Sequence, residues 1–272
     1  MASRKAEKEA ARQRRLEQER AAQAVAQRKQ RMVIAGSLLI VVIAVAVVLV
    51  VTLGGGSSSN GGAKAAQHPT SPKAKSISGK VNAELDGIPQ SGTTLGSPSA
   101  KVTITEYGDL QCPICADFAK TSENQLISNE VKTGKVKLVY KSLETATGNG
   151  PDSSMWLPQQ SGAYAAGAQG KAWNYIEIFY HEQGAEGTNY VNTAFLQNIA
   201  KQVKGLNYSK WNGDRFNPTY QNQVISEGKG FKKFGLQQAT PTLIVAGPHN
   251  QLKPLQTVPT YSQLQSMIKQ VS

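Results

Sequence analysis

The chain contains two cysteines, three residues apart in the segment Cys112-Pro113-Ile114-Cys115. A disulfide between them would close a very short loop, which removes little entropy from the unfolded chain and therefore adds little stability. The same pair can instead exchange electrons with other thiols, because a thiolate attacks a disulfide and leaves from one. The spacing therefore favours a redox-active dithiol over a structural crosslink.

A metal site and an inert cysteine pair are the alternatives to redox chemistry. A structural zinc site needs four ligands, commonly two cysteine pairs or one pair with two histidines. This chain has no second pair, and its histidines, His68, His181 and His249, are far apart in sequence. We therefore predict no metal and no cofactor.

A helix is predicted to begin directly after Cys112. Pro113 suits the first helical position, where its missing N–H group has no partner to lose. The free N–H groups and the dipole at that end stabilise a thiolate on Cys112. Cys115 lies one turn further on, is expected to be less exposed, and is predicted to resolve the mixed disulfide.

Strands alternate with helices around this motif, which indicates an α/β sheet. Strands are predicted over 102–107, 136–140 and 242–245, with a partner strand near 252–255. Helices are predicted over 116–132, 159–183, 192–203, 218–230 and 260–271.

The residues before this domain divide into three segments. Residues 1–31 carry ten Lys or Arg and four Glu, and residues 32–53 carry no charge. As a helix the uncharged segment would be about 33 Å long, enough to cross a hydrocarbon core of about 30 Å. The basic segment favours a cytoplasmic N-terminus. Residues 54–86, rich in Gly, Ser and Pro, are predicted to be a flexible linker to an extracytoplasmic domain at 87–272.

Two other interpretations of the N-terminal half can be tested against composition. The segment Ala63-Lys64-Ala65 resembles a signal-peptide cleavage site, but the apolar run is longer than that of a signal peptide. About half of the net charge of +12 lies in the first 31 residues. Because the rest of the chain has no basic stripe interleaved with aromatic residues, no nucleic-acid binding is predicted.

Three segments carry a resemblance to a known family. Tyr107–Cys115 resembles the FxDxxCPxC segment of DsbA-like thioredoxin-fold proteins, Ala239–Leu243 their TPT segment, and Gln169–Trp173 the QGKFW stretch of their inserted helical domain. The resemblance covers about 88–272. It implies a thioredoxin fold with a helical insertion at about 150–235, and thiol–disulfide oxidoreductase activity.

The resemblance also implies how substrate is bound. Pro241 is expected to be cis and to lie beside Cys112, which leaves the backbone of Thr240 free to pair with an extended substrate segment. An ordinary trans proline at the start of a strand is the alternative. Pro113 and Ile114 are expected to contact the substrate as well.

Glu106 precedes Cys112 by six residues on the first predicted strand. In the family an acidic residue here is buried near the second cysteine and can relay its proton, and burial would raise its pKa. An exposed strand carboxylate is the other interpretation.

Ile114 departs from the best-known oxidases of this family, which have His at this position. An imidazolium there would stabilise the Cys112 thiolate and make the disulfide more oxidising, whereas Ile114 supplies no charge. We therefore predict a weaker oxidant than those enzymes.

Three functions follow from these features. The first is a dithiol oxidase that acts on thiols of exported proteins and is recycled by a membrane redox partner. The second is a reductase or isomerase of the same fold, which a less oxidising potential would favour. The third is a membrane-anchored binding domain whose cysteines are inert.

Overall fold

The structure, a computed structural model, describes residues 70–151 and 153–272. The predicted cytoplasmic arm (1–31), the predicted transmembrane helix (32–53) and the linker as far as residue 69 lie outside the described residues. Among the residues that are described, no helix is both long and apolar enough to cross a membrane.

A five-stranded sheet lies at the centre of the domain. Its strands are β1 (Gln90–Ser91), β2 (Thr94–Leu95), β3 (Val102–Gly108), β4 (Val136–Ser142) and β5 (Thr242–Ala246). Their order across the sheet is β1-β2-β4-β3-β5. The central strands β3 and β4 are parallel, and the other neighbours are antiparallel. The predicted α/β sheet is thus present, with β3 between β4 and β5.

Helices precede, connect and follow these strands. Before the insertion they are α1 (Pro72–Glu84), α2 (Pro113–Phe118), α3 (Asn124–Leu126) and α4 (Ala146–Asn149). Those that follow are α5 (Trp156–Gly167), α6 (Ala172–Glu182), α7 (Thr193–Gln202), α8 (Tyr208–Asp214), α9 (Pro218–Phe231) and α10 (Tyr261–Val271). Two π-helical segments, Ala119–Glu123 and Ile127–Val131, join α2 and α3 into one helical stretch, 113–131, here called the active-site helix.

Both faces of the sheet are covered. Val102, Ile104 and Glu106 share one face of β3, because side chains alternate along a strand. Val102 and Ile104 belong to the main hydrophobic core. Tyr107 points to the opposite face and packs edge-on against Phe231 of α9, with the ring centroids 5.1 Å apart. Glu106 therefore lies on a buried face of a central strand.

The folded domain begins earlier than predicted. The linker was expected to extend to residue 86, but Pro72–Glu84 forms helix α1, capped by the Ser71 hydroxyl, which accepts a hydrogen bond from the Ala74 amide at 3.1 Å. Ala74 and Val81 are buried, and α1 packs against α6. The sequence did not indicate this helix because its buried side chains are small and few, and the rest of the segment is polar.

Two further expectations about secondary structure are corrected. The single helix predicted over 159–183 is two helices, α5 and α6, because Gly170 adopts a left-handed conformation with φ +67° between them. The partner strand predicted near 252–255 is reduced to isolated bridges to β5, at Leu255 and Gln251.

The helices between β4 and β5 form the insertion that the resemblance implies. Aromatic side chains fill its interior: the ring centroids of Tyr175 and Trp211 are 5.8 Å apart, and those of Phe179 and Phe195 are 5.0 Å apart. Because α6 packs against the π-helical segment Ala119–Glu123, the insertion is attached to the active-site helix.

Candidate active site

Cys112 occupies the N-cap of α2, with an extended backbone (φ −72°, ψ 120°), and Pro113 takes the first helical position. The Ala116 amide donates to the Cys112 carbonyl at 3.2 Å, which begins the helix. Both thiols are free. Cys112 is 5% exposed and Cys115 is fully buried, so the first cysteine is the one that a substrate can reach.

The two thiols differ in acidity. The pKa of Cys112 is lowered to about 7, chiefly by a hydrogen bond with Cys115, against the opposing effect of burial. The Thr240 side chain and the first amides of the helix favour the thiolate further. The pKa of Cys115 is raised well above its ordinary value by burial, by the hydrogen bond with Cys112 and by the nearby charge of Glu106. Near neutral pH a large fraction of Cys112 is therefore thiolate, while Cys115 keeps its proton.

Glu106 is buried, with 2% of its surface exposed. Its pKa is raised to about 8, because burial and the negative charge of a Cys112 thiolate, which raise the pKa, outweigh the hydrogen bonds with Tyr180 and Glu123, which lower it. The interpretation of Glu106 as an exposed strand carboxylate is thus wrong. A carboxyl group with this pKa can exchange a proton with a thiol near neutral pH.

The loop before Cys112 is held by Asp109, which sequence reasoning missed. Its fully buried carboxylate accepts hydrogen bonds from the amides of Gln111 (3.0 Å), Thr145 (3.0 Å) and Thr147 (2.8 Å). The Thr147 hydroxyl donates to it at 2.6 Å. Asp109 therefore ties the cysteine loop to the loop after β4.

Gln183, directly after α6, is a second anchor that sequence reasoning missed. Its side-chain amide donates to the carbonyls of Leu110 (2.6 Å) and Cys112 (3.0 Å). Because Gln183 belongs to the helical insertion, the insertion positions the reactive cysteine directly. In the sequence, only the glutamine's place at the end of a helix hints at this role.

The Thr240–Pro241 peptide bond is cis, as the resemblance implies. The Cys112 thiol donates to the Thr240 carbonyl at 3.3 Å. The hydroxyls of Thr240 and Thr145 are 2.6 Å apart, which connects this loop to the Asp109 network. In the reduced protein the Thr240 carbonyl thus contacts the reactive thiol.

The surface around Cys112 is open. Pro113 is exposed, and Ile114 is one of the few large apolar side chains in the described region with half of its surface exposed. On the side of Thr145, an open groove of about 710 Å³ runs between α4, α5 and α9, and its lining includes Trp156 and Ile225. An extended polypeptide can therefore approach Cys112 over a surface that combines apolar and polar side chains.

A family model described as thioredoxin matches residues 90–270, well over half of the chain. The protein belongs to the thioredoxin family. This thioredoxin-family chain is also similar to the probable disulfide bond formation protein D of Bacillus anthracis, with 23% identity over 155 residues. That match covers 57% of this chain and 69% of the relative.

Solved structures share the fold of this thioredoxin-family domain. Oxidised BdbD from Bacillus subtilis has a TM-score of 0.55 and 20% identity, and the match covers 67% of this chain and 97% of that one. DsbA2 from Pseudomonas aeruginosa has a TM-score of 0.53 and 19% identity, with 69% and 97% covered. The DsbA-like thioredoxin fold with a helical insertion is therefore confirmed.

The structure brings the predicted site residues to one place. Cys112, Cys115, Glu106 and Thr240 contact or perturb one another, and Ile114 lies on the adjoining surface. Within residues 70–151 and 153–272, no group of His, Cys, Asp and Glu side chains is arranged to hold a metal ion. The chemistry that this arrangement can perform is thiol–disulfide exchange.

Proposed function

We propose that the protein is a thiol–disulfide oxidase that introduces disulfides into exported proteins through Cys112 and Cys115. The observation that carries the proposal is the difference between the two thiols, since the accessible one has a pKa of about 7 and the buried one has a pKa far above it. An acidic first cysteine is a good leaving group, which favours release of an oxidised substrate. The names of the similar disulfide bond formation proteins support the same direction.

The first step opens the enzyme disulfide. A substrate thiolate attacks the Cys112 sulfur, and the Cys112–Cys115 bond breaks as the substrate–Cys112 bond forms. The electron pair of the broken bond stays on Cys115, which leaves as a thiolate. Because this thiolate is buried, it takes up a proton, and Glu106 is the nearby acid that can supply it.

The second step releases the product. A second substrate thiolate attacks the substrate sulfur of the mixed disulfide, and Cys112 leaves as a stabilised thiolate. The substrate has then lost two electrons and two protons, and the enzyme holds a reduced dithiol. A membrane redox partner that accepts two electrons from Cys112 and Cys115 is required to restore the disulfide.

Substrate recognition is assigned to the surface around the cis-proline. An extended substrate segment pairs with the backbone at Thr240 and Pro241, while Pro113 and Ile114 contact its side chains. Backbone pairing tolerates many sequences, which suits an enzyme with varied exported substrates.

The domain is proposed to act outside the cytoplasm on a membrane anchor. Residues 32–53 are uncharged and long enough to span a bilayer, and ten basic residues precede them. In right-side-out vesicles, added protease should remove the domain at 87–272 and leave residues 1–31 protected. Protection of the whole chain would refute this orientation.

The reduction potential of the Cys112–Cys115 couple tests the direction of the reaction. The protein is equilibrated in glutathione buffers of graded ratio, and the fraction oxidised is measured. A strong oxidase has a potential of about −120 mV and thioredoxin one of about −270 mV, so a value clearly above that of thioredoxin is expected. A thioredoxin-like potential would refute the oxidase and support the reductase.

Two serine variants complete the test. Cys115→Ser should accumulate mixed disulfides between Cys112 and exported proteins, because the resolving thiol is missing. Cys112→Ser should trap none and should not oxidise a dithiol peptide. If the wild-type protein has no reversible dithiol–disulfide couple, the enzymatic assignment fails.

A further inference from the structure

Four glutamates form a cluster that extends from the dithiol into the helical insertion. Glu106 lies on β3, Glu123 on the active-site helix, Glu177 on α6 and Glu84 at the end of α1. The first three are at most 2% exposed, and Glu84 is half-buried. We call these four residues the glutamate cluster.

Within the cluster each carboxyl group affects the next one. Glu106 acts on Cys115 at one end and interacts with Glu123 on its other side. The Glu123 and Glu177 carboxyl groups interact with each other, and both are influenced by Glu84. Glu84 is the half-exposed member, and the Asn124 side chain hydrogen-bonds to it. The cluster is therefore a continuous row of carboxyl groups from the buried thiol to the surface at α1.

Within the described part of the chain, these carboxyl groups lack strong partners. Several of their buried oxygens have no partner within hydrogen-bonding distance and angle: both oxygens of Glu106, both of Glu123 and one of Glu177. A buried carboxylate without a cation or donors is costly, whereas a protonated carboxyl is tolerated. The interior of the cluster is therefore held neutral, and a neutral carboxyl can accept a proton on one oxygen while it donates from the other.

The charged and titratable groups that face the cluster do not change this conclusion. Tyr140 and Tyr180 face Glu106, and their own pKa values are raised well above the ordinary range by burial, so both stay neutral. Lys120 interacts with Glu177 from an exposed position on the active-site helix, and partial desolvation lowers its pKa. Cys112 and Cys115 interact with Glu106 at the other end of the row.

Burial raises the pKa of every member of the row. The pKa of Glu106 is raised to about 8 and that of Glu84 to about 7, and the pKa values of Glu123 and Glu177 are raised well above the ordinary value. The two ends can therefore gain and lose protons near neutral pH, while the middle members carry protons between them without a stable charge.

We propose that the glutamate cluster is a proton relay between the Cys115 thiol and the solvent beside α1, on the side of the insertion. The inference rests on the proposed oxidase activity, because that reaction creates a thiolate on Cys115. Cys115 takes a proton from Glu106, and Glu106 is reprotonated by Glu123. Glu123 then takes a proton from Glu177, and Glu177 takes one from Glu84. Glu84 finally takes a proton from water, and every member regains its starting state. During reoxidation, the proton of Cys115 leaves by the same route in reverse.

Substitution of glutamate by glutamine removes proton transfer but keeps the local structure. A glutamine has the shape of the protonated glutamate and still donates and accepts hydrogen bonds, but it cannot pass a proton on. We compare Glu123→Gln and Glu177→Gln with Glu130→Gln as the matched control. Glu130 is also a poorly exposed glutamate on the active-site helix, but it pairs with Lys135 at 3.2 Å and lies outside the cluster.

The assay is a single turnover of the oxidised full-length protein with a dithiol peptide, followed over a range of pH in light and heavy water. We expect Glu123→Gln and Glu177→Gln each to slow opening of the enzyme disulfide by about tenfold or more and to increase the solvent isotope effect. The control should keep the wild-type rate and pH profile. Unfolding of each variant is measured in parallel, and since the middle glutamates are neutral in the native protein, the stability of both variants should be retained near neutral pH.

Glu106→Gln separates failure of the relay from failure of the proposed function. If Glu106→Gln is slow while Glu123→Gln and Glu177→Gln keep the wild-type rate and isotope effect, the relay is refuted and the oxidase stands. If the wild-type protein does not oxidise the peptide, the proposed function and the relay both fail. Glu84→Gln, at the half-exposed end, should give a smaller effect than the buried members.

Discussion

Asp109 is the residue on which the geometry of the cysteine loop most depends. Replacing it with asparagine keeps the size of the side chain and removes one acceptor oxygen. Oδ2 of Asp109 accepts from the amides of Thr145 and Thr147, and Oδ1 accepts from the amide of Gln111 and the hydroxyl of Thr147. The asparagine NH₂ group takes the place of one of these two oxygens, and in either position it faces two hydrogen-bond donors.

The cost can be estimated from these contacts. Two hydrogen bonds to a charged acceptor are lost, and each is worth about 1.5–3 kcal/mol, so we expect Asp109→Asn to lower the free energy of unfolding by about 3–6 kcal/mol. For a domain of this size that corresponds to a fall in Tm of about 6–24 °C. The loss should extend to function, since Thr145 connects the same network to Thr240 and hence to Cys112.

Denaturant unfolding and a pH titration of the Cys112 thiolate absorbance measure the two effects. The thiolate titration should shift in Asp109→Asn, because the loop that carries Thr240 loses its anchor. The exposed Asp117→Asn, on the active-site helix, is the control and should change neither quantity. A loss of stability below about 1 kcal/mol with an unchanged titration would refute the role assigned to Asp109.

Three further predictions concern the dithiol, the packing beside it and the buried acids. Ile114→His should lower the pKa of Cys112 by about one unit and so make the disulfide about 20 mV more oxidising at neutral pH; an unchanged potential in glutathione buffers would contradict the prediction. Gly108→Ala should destabilise the domain by about 1–3 kcal/mol in denaturant unfolding, since the added Cβ would lie 2.6 Å from the Tyr140 ring; a wild-type midpoint would show that the ring can move. Burial raises the pKa of Glu177 well above the ordinary value, so the folded state binds the extra proton and stability is lost as pH rises towards the folded pKa. Glu177→Gln should therefore gain stability relative to the wild type as the pH of the urea titrations rises above 4.5, and parallel curves for the two proteins would argue against a raised pKa.

The chemistry of the dithiol could be predicted from local sequence. Cys112 and Cys115 are separated by one helical turn, and Pro113 marks the start of the helix, so the order of their roles follows from neighbouring residues alone. The contrast in burial and acidity between the two thiols agrees with this predicted order. Local patterns also predicted the alternation of strands and helices, because side-chain periodicity reports directly on which face is buried.

Helices whose apolar residues are few, or whose apolar pattern runs across a break, were missed or given the wrong bounds. Helix α1 buries Ala74 and Val81 within a polar segment, and composition alone therefore favoured a linker. The helix break at Gly170 was hidden because the apolar periodicity continues on both sides of it. In both cases the residues responsible are in the sequence, but their role can be recognised only when the surface that the helix covers is known.

The sequence by itself was enough to predict the redox pair, its order of reaction and the α/β plan, since each depends on residues that are neighbours along the chain. Only the tertiary structure decided that Glu106 is buried, that Asp109 and Gln183 hold the cysteine loop, and that the glutamate cluster is continuous. The members of that cluster come from four separate elements, and their protonation is set by burial and by one another. Neither effect can be predicted from the residues next to each glutamate in the sequence. The environment of the dithiol is formed only when the insertion packs against the active-site helix.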